Sequence, residues 1–519
     1  MSFGRRKFLI SGGATTLALS LATLSSQRKA AARGRWGALI EDPDGILDLP
    51  EGFSYSILET EGDPMDDGYV VPERPDGMAC FEGPDDTIIL MRNHENGISG
   101  GPYTGDQTPP PEAYDPGGEG GVTRVVMDAN TFERISSNLV LVGSIRNCAG
   151  GPSPWGWLSC EETVEINEGI RHGYTFVCPI DAETVQAPQI VEGYGRYNHE
   201  AVAIDPSNNY AYLTEDRADS ALYRFVPDAM AEPFVGTLQA LKVVGQDEFQ
   251  TSGMSVGDVL DIEWVDIDEP DPDEDTVRDE AHGKGAAYIV RGEGIWFFEG
   301  QVYIASTSGG PIFGGQIFRL IDGDSPTLEL VVQSEDFNVL DGPDNITVAP
   351  WGELFIAEDG DGEQYIRWVT EQGEVCDFAR NALSDSEFAG VCFSPDGRAL
   401  FVNIQEQGLT LVVTGPFGEG GSGEEDTGDE TADGGMTEDE GTSGDESGTD
   451  GGDGSEDEIG DDTTGDGTGD AGADDSSSDE GCGCAADETS NQGMMAAAAV
   501  FGAVAVKTAL TDESEEPEA

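Results

Sequence analysis

One two-strand unit recurs along this chain, and its recurrence limits the possible folds more than any other feature. The clearest copy is "RYNHEAVAIDPSNNYAYLTED", residues 196–216. "AVAID" and "YAYLT" alternate like half-buried strands, and "PSNN" between them has the residues of a tight turn. Copies with a polar start, a strand, a "PxG"-like turn, a second strand and usually a polar end begin at Asp76, Glu293, Asp344 and Phe388. A partial copy surrounds Glu161 and Glu162. A further strand often follows, as in "ALYRFVP", "GQIFRLI" and "QYIRWVT". No long segment of residues 34–416 has helical periodicity. Repeated short strands at this spacing predict an all-β fold: a β-propeller of about six blades with loop insertions, the largest at 228–284. The acidic run "DIDEPDPDEDTVRDE" inside that insertion is expected as a solvated loop.

The opening unit is charged at both ends, with His199 and Glu200 at its entrance and Glu215 and Asp216 at its exit. Carboxylates flanking two apolar strands are either solvated ends or ligands of a shared centre, and one hairpin does not decide. The repeat does. The first strand of each propeller unit faces the central channel, so equivalent positions form a ring. Glu200, Glu293 and Asp344 occupy the same place in three units. Three converging carboxylates repel unless protonated or bridged by cations. An oxygen-rich ring of this kind suits calcium, which takes six to eight oxygen ligands.

Charge narrows the partners. The formal net charge is -78, from 103 acids and 25 bases. Residues 421–519 hold 31 of the acids and, of the bases, Lys507 alone, so the rest of the chain is still near -48. Such a surface repels nucleic acid and anionic membranes, and no nucleic-acid partner is expected. From about Gly418 the composition is Gly, Asp, Glu, Ser and Thr. An acidic low-complexity linker at 417–481 is therefore expected to be disordered, because it cannot bury enough apolar surface to offset chain entropy. Residues 482–519 form a Cys/Ala-rich segment. "GCGC" and "MMAAAAVFGAVAV" there resemble a degenerate form of the C-terminal sorting signals of myxobacterial surface proteins, with a solubilising tail as the alternative.

At the other end, "GRRKFLI" precedes the modest apolar run Ile10 to Leu24 and the small residues Ala30 to Ala32. This resembles a twin-arginine signal peptide, taken as residues 1–33. Its partner would be the twin-arginine translocase, and the destination periplasmic, cell-surface or extracellular. Eight cysteines are too few for a disulfide scaffold in an exported chain of this length. Five lie in apolar strand-like runs. Cys148 differs, in "RNCAGGPSPWGW" among glycines and prolines.

The segments "DGMACFEGPDDTIILMRNHE", "NCAGGPSPWGWLSCEET", "GRYNHEAVAIDP", "YLTEDRADSALYRFVP", "RGEGIWF", "PDNITVAPWGELFIAEDG" and "FAGVCFSPDGRALFVNIQ" together resemble the PhoX-type alkaline phosphatases. The resemblance implies a decorated propeller that hydrolyses small phosphate esters at a centre of calcium and iron. It assigns the iron thiolate to Cys148, metal-binding carboxylates to Glu162, Glu200, Glu293 and Asp344, and a phosphate-holding guanidinium to Arg291. A one-residue deletion in "PWGWLSCEE" leaves Glu161 and Glu162 competing for one role.

Physical chemistry agrees in part. A thiolate beside hard oxygen ligands favours a transition metal at that one position. Arg291 and Glu293 would share a strand face. His94 and His199, each directly before a Glu, are read as packing or orienting groups beside the ring. No Ser-His-Asp triad is evident, and a monomer is expected. A calcium-stabilised propeller that binds without catalysis is the alternative, with a lactonase-like hydrolase third.

Overall fold

The computed structural model describes residues 35–370 and 372–418. The expected signal peptide, nearly all of the expected acidic linker and the Cys/Ala-rich segment lie outside the described residues. Among the described residues no helix is long and apolar enough to cross a membrane.

The architecture is all-β and propeller-like. Six hairpins supply its frame; five are repeated units read from the sequence, while the second begins at Asn147, ahead of the partial copy around Glu161 and Glu162. Their first strands are Pro75–Glu82, Asn147–Ser153, His199–Asp205, Gly292–Phe298, Pro343–Val348 and Phe388–Phe393. Each of these inner strands packs against the next, and the last returns to the first, so they close a ring. Strands in that position have both faces covered, which explains why "PDNITV" and "FAGVCF" are buried throughout. Outer strands have one covered face and alternate instead, as Thr327–Gln333 does in "TLELVVQ".

Outward pairing is antiparallel. The first inner strand leads a four-stranded sheet and the second a three-stranded one. The groups led by the third and fourth join through their outermost strands, Val259–Asp266 and Thr327–Gln333, into one nine-stranded sheet. The fifth and sixth sheets each borrow from the start of the chain. Leu47–Pro50 pairs with Val375–Asn381, and Ser54–Thr60 pairs with Leu409–Thr414. Six apolar clusters fill the spaces between consecutive strand groups, the largest holding Phe355, Trp368, Phe378, Phe393 and Leu400.

The expected insertion at 228–284 is corrected in part. Glu232–Val243 and Val259–Asp266 extend the third strand group as paired strands, and Val277–Gly283 is a short helix. Nor is the acidic run a free loop. The Pro270 carbonyl accepts from the Arg196 amide, while Asp271 accepts from Arg171 and the Tyr174 hydroxyl. Arg171 and Arg196, from preceding segments of the same chain, hold it down.

Candidate metal centre

All six inner strands carry a bulge near their start, after the first residue in five of them and after the second in the sixth. Regular pairing opens at Pro75–His94, Asn147–Glu161, His199–Glu215, Gly292–Ser306 and Pro343–Glu358, then breaks for two residues in each hairpin. The sixth hairpin has its break between Ala389 and Cys392. A bulge bends its strand and re-aims a side chain. The second strand residue stands at this bend, and in five strands it is Asp76, Cys148, Glu200, Glu293 or Asp344. In the sixth the second residue, Ala389, is still paired with Asn403, and the break falls on Gly390 and Val391. The next residue is small in most of the strands because the backbones are close. A Cβ on Gly294 would stand 2.6 Å from the Asp344 carbonyl oxygen, and one on Gly77 2.6 Å from the Ala149 Cα.

These side chains converge. Ligand atoms of Cys148, Glu162 and Glu200 lie within 4.8 Å of one another, as do those of Glu200, Glu293 and Asp344. Glu200 belongs to both groups. Its Oε1 accepts from the Cys148 thiol at 3.4 Å, and the same thiol is 3.8 Å from Asp76 Oδ2. The five ligand residues read from the sequence thus fall into two overlapping triads. Glu161 does not join them. It is spent on the amides of Ile145 and Gly173 and on His172 Nδ1, and of the two neighbours it is Glu162 that stands with Cys148 and Glu200.

Arg291 borders the second triad, donating to Glu293 at 2.8 Å and to both Asp216 oxygens at 2.7 and 3.0 Å. The expected route to that contact is corrected: Arg291 precedes the strand and has φ 49°, so a left-handed residue and the bulge bring it to Glu293, not strand alternation. His94 and His199 serve the framework. His94 bridges the Glu73 carbonyl and Thr123, and His199 stacks on Tyr197 and meets the Gly195 carbonyl.

Sequence reasoning left several members out of its ligand set. Asp76 fills the ring position in the first unit, and the repeat alignment that found Glu200 contains it. Glu95, Asp216 and Asp359 follow the second strands of their hairpins, and Glu387 precedes the sixth inner strand. Arg74 pairs with Glu95 at 2.7 Å. Arg146 pairs with Glu162 at 2.7 Å and approaches Glu95 at 3.5 Å.

The electrostatics are unbalanced. Burial, then the other carboxylates, pushes Asp76, Glu200, Glu293 and Glu387 well above the usual carboxylate range. Glu162 and Asp344 are pushed up to about 7, chiefly by burial. Burial, then Asp76 and Glu200, also drives the Cys148 thiol well up. Among the described residues, Arg74, Arg146 and Arg291 are the guanidiniums that pair with this set of Asp76, Glu95, Glu162, Glu200, Asp216, Glu293, Asp344, Asp359 and Glu387. Among the described residues Asp76 Oδ1 and Glu200 Oε2 are buried without a hydrogen-bond partner. Orphaned carboxylate oxygens in an over-acidic pocket suit cations, and the donor set fits. Carboxylates supply hard oxygen, and the single sulfur suits a transition metal.

A family model described as alkaline phosphatase PhoX matches residues 34–408. Among solved structures, the chain is similar to Pseudomonas fluorescens PhoX in complex with vanadate, described as a transition state analogue. Identity is 18%, the match covers 73% of this chain and 97% of that one, and the TM-score is 0.58. A gluconolactonase from Xanthomonas campestris matches at 12% identity over 74% of this chain and 99% of its own, with a TM-score of 0.35. A search of curated proteins finds no match.

Proposed function

The chain belongs to the alkaline phosphatase PhoX family, which makes it a phosphoric ester hydrolase, and from that premise we propose that the axial pocket hydrolyses small phosphate esters with calcium and iron as cofactors. Cys148, Glu162 and Glu200 would hold the iron, and Glu200, Glu293 and Asp344 calcium, with Asp76 adjoining. When bound, these cations neutralise the charge of the ester and act as Lewis acids. Arg291 is held by Asp216 and Glu293, so its guanidinium is already oriented when a phosphate oxygen arrives. The arginine thereby positions the ester and stabilises charge that develops on it. Cys148 is a poor candidate for a covalent nucleophile. Reactive thiolates need electropositive surroundings, and this half-buried thiol sits among carboxylates.

One observation carries the proposal: two ligand triads share Glu200 in a pocket whose acids outnumber its bases. Hydrolysis of p-nitrophenyl phosphate and of its bis-ester tests it. Chelation and Cys148→Ala are expected to abolish turnover, and Arg291→Ala to lower kcat about 10²–10³-fold. Turnover that survives all three would leave the pocket a binding module with purely structural cations.

Six inner strands and six interleaved apolar clusters support a count of six blades. Export by the twin-arginine translocase to a periplasmic, cell-surface or extracellular site, as a monomer with an acidic tail, completes the reading. It is supported by "GRRKFLI" and the low-complexity composition.

A further inference from the structure

We propose that Arg74 and Arg146 form a second anion-binding position at the pocket mouth, selecting phosphate esters that carry another negatively charged group, a second phosphate or a carboxylate. This rests on the phosphatase reading of the pocket and names its substrate class.

The residue directly before an inner strand is Arg74, Arg146 or Arg291 in three of the six hairpins. All three arginines are left-handed, at φ 47°, 54° and 49°. Gly342, directly before the fifth inner strand, has φ 59°. Glycine adopts that backbone freely, whereas arginine is strained there. The turn therefore does not require arginine, and its presence at a cost in backbone strain points to the side chain.

Those side chains keep capacity in reserve. Among the described residues the Arg74 fork donates to Glu95 alone and stays 42% exposed. Arg146 donates to Glu162, approaches Glu95, and stays 47% exposed. Arginines that serve the framework look different. Arg196 is buried and donates to the carbonyls of His172, Val164, Pro272 and Asp273, while buried Arg92 donates to Thr123, Thr410 and Glu59. A guanidinium carries five donors, so Arg74 and Arg146 have several left for a ligand.

Position completes the argument. Arg74 and Arg146 stand on the first and second hairpins and share Glu95, while Arg291 stands on the fourth, across the ring. An ester held at Arg291 and the triads extends its far end toward the Arg74–Arg146 pair. A neutral end gains nothing there, whereas an anionic end meets two forks.

The test compares straight-chain alkanediol bisphosphates of two to six carbons with alkyl monophosphates of the same lengths on metal-loaded protein. Titration calorimetry with the matching bisphosphonates and monophosphonates is run in parallel. At one chain length the bisphosphate should exceed the monophosphate at least tenfold in kcat/KM, and the bisphosphonate should bind at least tenfold more tightly. Both ratios should collapse to within about twofold in Arg74→Gln and Arg146→Gln. General damage to the site lowers both substrates together and leaves the ratio unchanged. Arg74→Lys and Arg146→Lys keep the charge balance should a glutamine variant fail to fold. Lacking the fork, they should lower the preference at least threefold. No preference at any length in the parent, or a preference intact in all variants, overturns the subsite. A binding preference that behaves as stated in a protein without turnover keeps the subsite and discards the phosphatase reading.

Discussion

Glu200 touches the Cys148 thiol and belongs to both ligand triads, so its loss should be felt more widely than that of any other ligand. Glu200→Gln is expected to reduce kcat on p-nitrophenyl phosphate by more than ~10²-fold, and by more than Asp344→Asn does. Steady-state kinetics of the two variants checks the order. A second residue-scale prediction concerns Glu215, buried between Arg278 and the Tyr223 hydroxyl. Burial raises its carboxyl to about 7 although Arg278 and Tyr223 oppose the shift. The folded value lies above the unfolded one, so the associated stability is complete below pH 4.5 and is lost as pH rises through about 7. Glu215→Gln does not titrate. Relative to the parent, its stability should rise by about 2–3 kcal/mol between pH 5 and 8, read from paired thermal melts. At this scale the sequence showed Glu200, Glu293 and Asp344 because the repeat superimposes them. It hid Arg74 and Arg146 because a left-handed backbone in front of a strand leaves no mark when the residue is not glycine or asparagine.

Bulges are the elements that build the pocket. A regular strand would alternate its side chains between the two blade faces, whereas the bulge turns the second residue toward the axis. Closing the ring at that level needs small neighbours, and Gly294, beside Glu293, is a direct test. A Cβ there would meet Asp344 oxygen at 2.6 Å and Ile346 nitrogen at 2.7 Å, both backbone atoms. Gly294→Ala should therefore cost at least ~2 kcal/mol and displace Asp344, lowering melting temperature and metal occupancy together. Gly253, whose added Cβ would meet nothing within 4 Å, is the control and should change stability by less than ~0.5 kcal/mol. Hairpins were legible in the sequence because both strands and the turn are local. The strands at 232–243 and 259–266 were not, since their partners are set by sheet pairing, and charged residues such as Glu263 and Asp266 mask their alternation.

Closure of the whole molecule depends on the start of the chain. Ser54–Thr60 completes the sixth sheet, and from it Glu59 reaches into the first sheet, pairing with Arg92 at 2.7 Å and Arg134 at 2.8 Å. Arg92 is fully buried, so Glu59→Ala would strand a charge at the seam. A loss of about 3–5 kcal/mol is expected in denaturant titration, against little change for Arg398→Ala on the exposed surface. Propeller-like architecture was readable from the period of the repeat. The seam was not, because its partners are far apart in sequence. We propose that these sheets serve to hold acidic side chains around cations at one axis. Elemental analysis of purified protein tests this most directly. Calcium and iron should be present in whole-number ratios to the chain, with iron lost in Cys148→Ala and both metals lost in Glu200→Gln. A parent protein free of both metals, or a Glu200→Gln variant with the full complement, would contradict it.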